Sequence, residues 1–340
     1  MGAWLLAWGS VVCAAAGAAD LAVLQTHRLG GEGGWDYLSY DETGRRLFIA
    51  RGSHVQVVDA DSGSVVGDIP ATPGVHGVAL AADLGKAYAS NGRDNSITVF
   101  STGSLETLAR IPTPAGLGPD FVAYDEDSHQ VLAFNGKSHN LSIIDARNDR
   151  LVRMLALGGR PEAAVIDGGG RVFVELEDRN ELLRLDLARA EVTGRWPLPG
   201  CDEPAGLGLD RAGRTLFVGC HNKTLLTVDA DKGAVMDTLS IGEGVDATAF
   251  DPVHHQVFSA QADGTLTVLQ PAADRHWAVQ QTLTTRPGAR TLALDPVRHR
   301  VYLVTAEFES TPTAPGQGGK KAKPSPRPGT FSLMVVGEAP

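Results

Sequence analysis

The sequence predicts an all-β, seven-bladed β-propeller with four-stranded blades, and three observations carry that expectation. First, one phrase recurs seven times: an apolar run, usually an aspartate, a turn, then a second apolar run. Its copies are YLSYDETGRRLFIA from Tyr37, VALAADLGKAYAS from Val78, VAYDEDSHQVLAF from Val122, AVIDGGGRVFVEL from Ala164, LGLDRAGRTLFVG from Leu207, TAFDPVHHQVFSA from Thr248 and LALDPVRHRVYLV from Leu292. Second, the anchors Asp41, Ala81, Asp125, Asp167, Asp210, Asp251 and Asp295 are separated by 40, 44, 42, 43, 41 and 44 residues. A period near 42 built from short strands is that of one four-stranded blade per repeat. Third, the 340 residues carry 40 glycines and only 6% aromatics, as many tight turns between strands require. A length of 340 would suggest two domains, but blades cannot bury their faces singly and must close as one ring spanning residues 20–340.

Within each repeat the two runs of the phrase are the innermost strand and the next one out. A third run follows, as in HVQVVD from His54, SITVFS from Ser96 and LSIIDA from Leu141, and a weaker fourth closes the blade, as in VVGDIP from Val65. Their Val, Ile, Leu and Thr content and alternating apolar positions fit strands packed blade against blade. Turn signals separate them, including Asp61-Ser62-Gly63, Gly168-Gly169-Gly170 and Asp231-Lys232-Gly233. The seventh repeat ends after its third strand, FSLMVV from Phe331, while LAVLQTHRL from Leu21 has no repeat of its own. The N-terminal segment is therefore predicted to supply the outer strand of blade seven and to remove the open edge. Residues 308–330, rich in Pro and Gly with three Lys and one Arg, interrupt the last blade and predict a flexible insertion.

The first 19 residues are uncharged and apolar or small, and Ala16-Gly17-Ala18 forms an A-x-A cleavage pattern. They read as a secretory signal peptide, which places the chain in the periplasm or outside the cell. Cys13 follows Val12 and fits a lipid-anchoring motif poorly. No other stretch is apolar enough to span a membrane. With the signal removed two cysteines remain, Cys201 and Cys220, a number that predicts a disulfide in an exported chain. A soft-metal site with His221 and Glu203 is the alternative. The net charge of −10 argues against nucleic acid as a partner, and the chain is expected to be a monomer.

The segments RLFIARGSHVQVVDADSGSVVGDI and RTLFVGCHNKTLLTVDADKGAVMDTLSIGEG resemble the YVTN-type repeat of YncE-like bacterial propellers, and TPGVHGVAL, SNGRDNSITVF and YLVTAEF are similar to an exported subgroup of it. The resemblance spans roughly residues 20–340. It implies the propeller fold, and it leaves function open among binding proteins, lactone hydrolases and cofactor-binding oxidoreductase domains. The best-known member is associated with DNA, a partner that the acidic charge here disfavours.

The repeat also serves as a ruler. Five residues before each anchor, where the innermost strands crowd at the channel mouth, stand Asp36, His76, Asp120, Glu162, Ala205, Asp246 and Arg290, with Glu203 two residues out of register in the fifth repeat. Converging carboxylates repel unless neutralised. A divalent cation (Ca²⁺, Mg²⁺, Mn²⁺ or Zn²⁺) held by Asp36, His76, Asp120, Glu162 and Asp246 would neutralise them. So would a cationic ligand, while hydrogen bonding around a water-filled channel is the purely structural alternative. A second ring on the same face comprises Arg51, Asn91, Asn135, Leu176, Cys220, Gln261 and Thr305, with Arg93, Glu175, His221, Asn222 and Glu307 nearby. Arg51, Arg93 and Arg290 are the candidate anion clamps, whereas Asn91 and Asn135 suit either ligand contact or turn-making. His254 and His255 belong to a turn on the opposite face and read as solvated.

Two functions follow. One is a binding or scaffold propeller that presents this acidic face to a small molecule, a metal ion or a protein partner. The other is a metal-dependent, lactonase-like hydrolase with Glu162 and Asp246 as ligands or base and His76 as proton shuttle. A weaker third, an electron-transfer accessory, lacks the C-x-x-C-H of covalent haem. No Gly-rich phosphate loop, zinc-protease helix or nucleophile elbow points to another enzyme class.

Overall fold

The fold is taken from a computed structural model, which describes residues 20–309 and 325–339. The expected signal peptide, residues 1–19, lies outside them. Seven four-stranded antiparallel sheets are arranged as blades. Blade one is built from Leu38–Asp41, Arg46–Ala50, Val55–Asp59 and Val65–Ile69, from the channel outward. The innermost strands of the next six blades are Val75–Ala81, Pro119–Asp125, Pro161–Ile166, Pro204–Asp210, Val245–Asp251 and Leu292–Asp295.

Closure occurs as the orphan segment predicts. Leu21–Arg28 pairs antiparallel with Ser332–Glu338, from Leu21 opposite Glu338 to Arg28 opposite Ser332. Blade six reinforces the seam, because Gln281 receives the Leu21 amide at 3.0 Å and donates to the Leu21 carbonyl at 2.8 Å. The pairing covers the outer edge of Ser332–Glu338 and completes the blade with its fourth strand. The interrupting segment lies between Thr305 and Ser332 and carries an isolated bridge, Phe308 to Pro326, beside which the Glu309 amide donates to the Ser325 carbonyl at 2.9 Å. Residues 310–324 lie outside the described residues.

The recurring phrase has a packing cause. The second strand of most blades carries a buried aromatic, and its ladder partner on the innermost strand is small: Phe48 opposite Ser39, Tyr88 opposite Ala79, Phe217 opposite Gly208, Phe258 opposite Ala249 and Tyr302 opposite Ala293. Opposite each of these rings the innermost strand carries a small side chain, which leaves room for the ring in the shell outside it. Seven apolar clusters, one at each blade-to-blade seam, make up the core. The anchor aspartates cap the turns on the face away from the mouth. Asp41 accepts the Gly44 amide at 3.0 Å, Asp210 that of Gly213 at 2.8 Å, and Asp295 that of Val297 at 3.0 Å. Each of these turns then places one residue in the left-handed region, Arg45, Arg214 and His299 among them.

Candidate functional site

The ladders of five innermost strands break at their entry. The register shifts fall between Val75 and Val78, Pro119 and Val122, Pro161 and Ala164, Pro204 and Gly206, and Val245 and Ala247. His76, Asp120, Glu162, Ala205 and Asp246 all sit inside these breaks, released from sheet pairing, so their side chains can turn toward the axis. Beneath them the Tyr37 and Phe121 rings meet edge to face at 5.3 Å. Below that lid the channel is a cavity of about 290 Å³ walled mostly by apolar and small residues, Val122, Val165, Leu207 and Leu294 among them. Asp246 reaches this cavity as well, with Ser39 and Thr248 as further polar side chains on a largely apolar wall that solvates charge poorly.

The mouth divides into two halves. In the first, His76 Nδ1 lies 2.7 Å from Asp36 Oδ2 and 3.4 Å from Asp120 Oδ1. One ligand atom from each of these three residues lies within 4.8 Å of the other two. All three are partly exposed, and they border a cavity of about 700 Å³ that opens above blades one to four. In the second half, Arg290 Nε pairs with Asp246 Oδ2 at 2.9 Å and the Tyr37 hydroxyl donates to Glu162 Oε1 at 3.0 Å.

Crowding and the apolar floor set the ionisation of these groups. Burial pushes the Asp246 carboxyl up to about 7 against the pull of Arg290, with Asp36 and Asp120 adding repulsion. Burial likewise raises Asp120 to about 6 although His76 opposes it. Glu162 is pushed well above the usual carboxylate range by burial and by Asp120 and Asp246. Burial pulls His76 down, but its hydrogen bond to Asp36 and the charge of Asp120 prevail and raise it.

The other expected site residues do not all join this cluster. Arg93 borders the larger cavity. Arg51 is no anion clamp: it is 2% exposed, its guanidinium lies 3.6 Å from the centre of the Phe331 ring, and it donates to Gln56 at 3.0 Å and to the Glu32 and Gly34 carbonyls. It fastens the N-terminal loop that leads into Asp36. Asn91 and Asn135 are fully buried inside their blades, where each donates to third-strand hydroxyls, Ser96 and Thr98 for Asn91 and Ser142 for Asn135. Neither residue lines the cavity; each amide bridges the second strand to the third, with its own carbonyl oxygen left unpaired. Glu203 and Glu307 are exposed and pair with His221 at 2.9 Å and Arg327 at 3.0 Å, outside the cavity lining. Cys201 and Cys220 are joined in a disulfide with Cα atoms 5.4 Å apart, which removes the thiolates a soft-metal site would need.

Three basic side chains on the cavity wall were not singled out by the ruler, Lys137, His139 and Arg160, the last of which pairs with Glu177 at 2.7 Å. A signal for Lys137 is present in the sequence, because Asn91-Gly92-Arg93 and Asn135-Gly136-Lys137 occupy matching places in consecutive repeats. Glu175 is fully buried with neither carboxylate oxygen hydrogen-bonded, and burial pushes it well above the usual range, so it is held as the neutral acid. On the opposite face His254 is not simply solvated. It lies 3.1 Å from Asp251 Oδ2, while buried His299 from the next blade reaches the same oxygen at 2.7 Å. Arg214 makes the matching contact to Asp167 at 3.2 Å one pair of blades earlier, which marks these contacts as seams between blades.

No family model matches the chain, and no curated protein matches it. Solved structures do. One, entitled "Crystal Structure of Mitotic Checkpoint Complex", superposes with a TM-score of 0.73 at 15% identity over 89% of this chain and 94% of that one. Another, Kuenenia stuttgartiensis hydrazine synthase, gives 0.71 at 15% identity over 83% and 95%. At such identities the likeness is one of fold, and it agrees with the seven-bladed propeller. Among the described residues no helix is long and apolar enough to cross a membrane.

Proposed function

We propose that this chain is an exported binding propeller of the YncE-like kind whose channel mouth takes up a divalent cation through Asp36, His76 and Asp120, without turnover. The observation that carries the reading is the convergence of two carboxylates and one imidazole, with ligand atoms within 4.8 Å of one another, on the wall of an open cavity. A cation there would offset the burial and the carboxylate repulsion that raise Asp120 and Glu162, and a mixed oxygen and nitrogen set suits Mn²⁺ or Zn²⁺ better than Ca²⁺. Glu162 and Asp246, engaged by Tyr37 and Arg290, would act on the cation through charge rather than as ligands. The disulfide fits an oxidising compartment, and the resemblance to YncE-like propellers supports the same placement.

The test is elemental analysis of the purified mature protein. It is expected to hold near-stoichiometric divalent metal, and His76→Ala combined with Asp120→Ala is expected to lose it. Metal-free native protein that also shows no thermal shift with Mn²⁺ or Zn²⁺ overturns the proposal. The hydrolase reading is favoured by one observation, an Asp246 carboxyl placed near 7, where a general base works best. Lactone hydrolysis that disappears with a chelator would establish it in place of simple binding.

A further inference from the structure

The cavity over Asp36, His76 and Asp120 has a wall of opposite sign, and we infer from this juxtaposition that the mouth binds a small oxyanion, a carboxylate or a phosphate, which bridges the floor cation to Arg93 and Lys137. The inference rests on the cation reading above and adds the class of ligand.

Arg93 and Lys137 hold the same place in blades two and three and are aimed by the same device. Gly92 donates to the Gly74 carbonyl and Gly136 to that of Gly118, both at 2.9 Å, which ties each second-strand turn to the loop that enters its own innermost strand. The next amide repeats the tie, Arg93 to Pro73 at 3.2 Å and Lys137 to Leu117 at 3.1 Å. Gly74 and Gly118 have φ of +71° and +63°, a region that favours glycine. A Cβ on Gly74 would stand 2.6 Å from Arg93 Cγ, and one on Gly118 would stand 2.8 Å from Lys137 Cγ. The bare glycine backbones therefore let both aliphatic stems lie flat across the loop and carry their charges to the cavity.

Those charges are uncompensated. Among the described residues neither Arg93 nor Lys137 has a carboxylate within 4.0 Å, although Arg160 on the same wall pairs with Glu177 and Asp94, adjacent in sequence to Arg93, is taken by Arg110 at 2.6 Å. Both side chains are exposed, and both border the same cavity. With a divalent cation on the floor, the cavity would hold positive charge on two sides, and what fits between is an anion that coordinates metal with one oxygen and accepts from Arg93 and Lys137 with others. A volume of about 700 Å³ accommodates a small molecule rather than a polymer.

The experiment titrates succinate and inorganic phosphate separately into the mature chain, stripped by chelator and then loaded with Mn²⁺, with calorimetry as the readout. At least one probe is expected to bind the loaded protein about tenfold more tightly than the stripped one. Arg93→Ala with Lys137→Ala is expected to weaken that probe about tenfold or more without weakening Mn²⁺ binding or lowering the melting temperature, and Lys137→Arg is expected to retain it. Which probe responds identifies carboxylate or phosphate chemistry. Mn²⁺ binding with no response to either probe, or a response indifferent to the double variant, overturns the inference while the cation reading stands. Failure of Mn²⁺ to bind, with an anion still held through Arg93 and Lys137, overturns the cation reading and leaves the anion site. Binding of neither removes both.

Discussion

Raising the pH of the cation-free protein from about 5 to about 8 should cost it several kcal/mol of stability, and a divalent cation should restore the loss. Asp246 is the main contributor. Its carboxyl is only 12% exposed and is raised from 3.8 to about 7. At about 1.4 kcal/mol for each pH unit across that gap, the native state resists ionisation by roughly 4 kcal/mol. Asp120, raised to about 6, adds roughly 2 to 3 kcal/mol, and part of that overlaps because the two repel each other. The sign follows from proton counting. Between pH 4 and 7 the folded chain holds protons on these carboxyls that the unfolded chain has released, so stability falls as pH rises through that window. His76 acts in the same direction, since its raised value gives stability at low pH that is lost on deprotonation. Urea denaturation at about pH 5, 6.5 and 8 in chelator measures the slope, and Asp246→Asn should flatten it by more than half. A wild-type curve that is flat or rises across the window, or an Asp246→Asn curve as steep as the wild type, would refute the assigned desolvation.

Two further outcomes are expected. Below about pH 4 stability should fall again, because burial opposes ionisation of Asp251 yet the hydrogen bonds from His299 and from the His254 and Val253 amides hold it at about 2; Asp251→Asn should cost roughly 2 kcal/mol near pH 6 and flatten this acid limb in denaturation curves. Reduction of Cys201–Cys220, which closes a loop with a sequence separation of 19, should lower stability by about 3 kcal/mol in matched urea titrations with and without reductant.

The fold was legible because seven blades solve one packing problem. Rings such as Phe48 and Tyr302 need small partners near the axis, so the apolar runs recur at a fixed distance and the count of strands leaves one orphan to close the ring. The same ruler found Asp36, His76 and Asp120, because strand entries must crowd at the mouth. It did not separate them from Glu162 and Asp246, since that division depends on Arg290 reaching in from the next blade and on Tyr37 reaching Glu162 across the ring. Arg51 was misread for a related reason. Its place in the repeat matches Asn91, but Phe331, which it covers, comes beside it only when the two ends of the chain meet. Asn91 and Asn135 showed that position on a face does not give side-chain direction, for both turn into their own blades. Lys137 stands two residues beyond Asn135 and so off both rings of the ruler, and only the paired Asn-Gly-cation turns distinguish it.

The asymmetry of the mouth bears most directly on function. Where Arg290 faces Asp246, cation and carboxylate have closed on each other at 2.9 Å, and Tyr37 has engaged Glu162, so that half satisfies itself. In the other half a single imidazole serves two carboxylates, while Arg93 and Lys137, bordering the same cavity, have no acidic partner among the described residues. A mouth shaped for stability alone would let those two side chains fold onto Asp36 and Asp120 as Arg290 does onto Asp246. Gly74 and Gly118, with the amide ties beside them, instead lay their stems across the loops. Holding opposite charges apart in this way forgoes the ion pairs that would close the gap, and it leaves two sets of unmet partners around a space large enough for a small molecule. Such preorganisation is what a binding site requires, because the groups need not be pulled from one another before a ligand arrives.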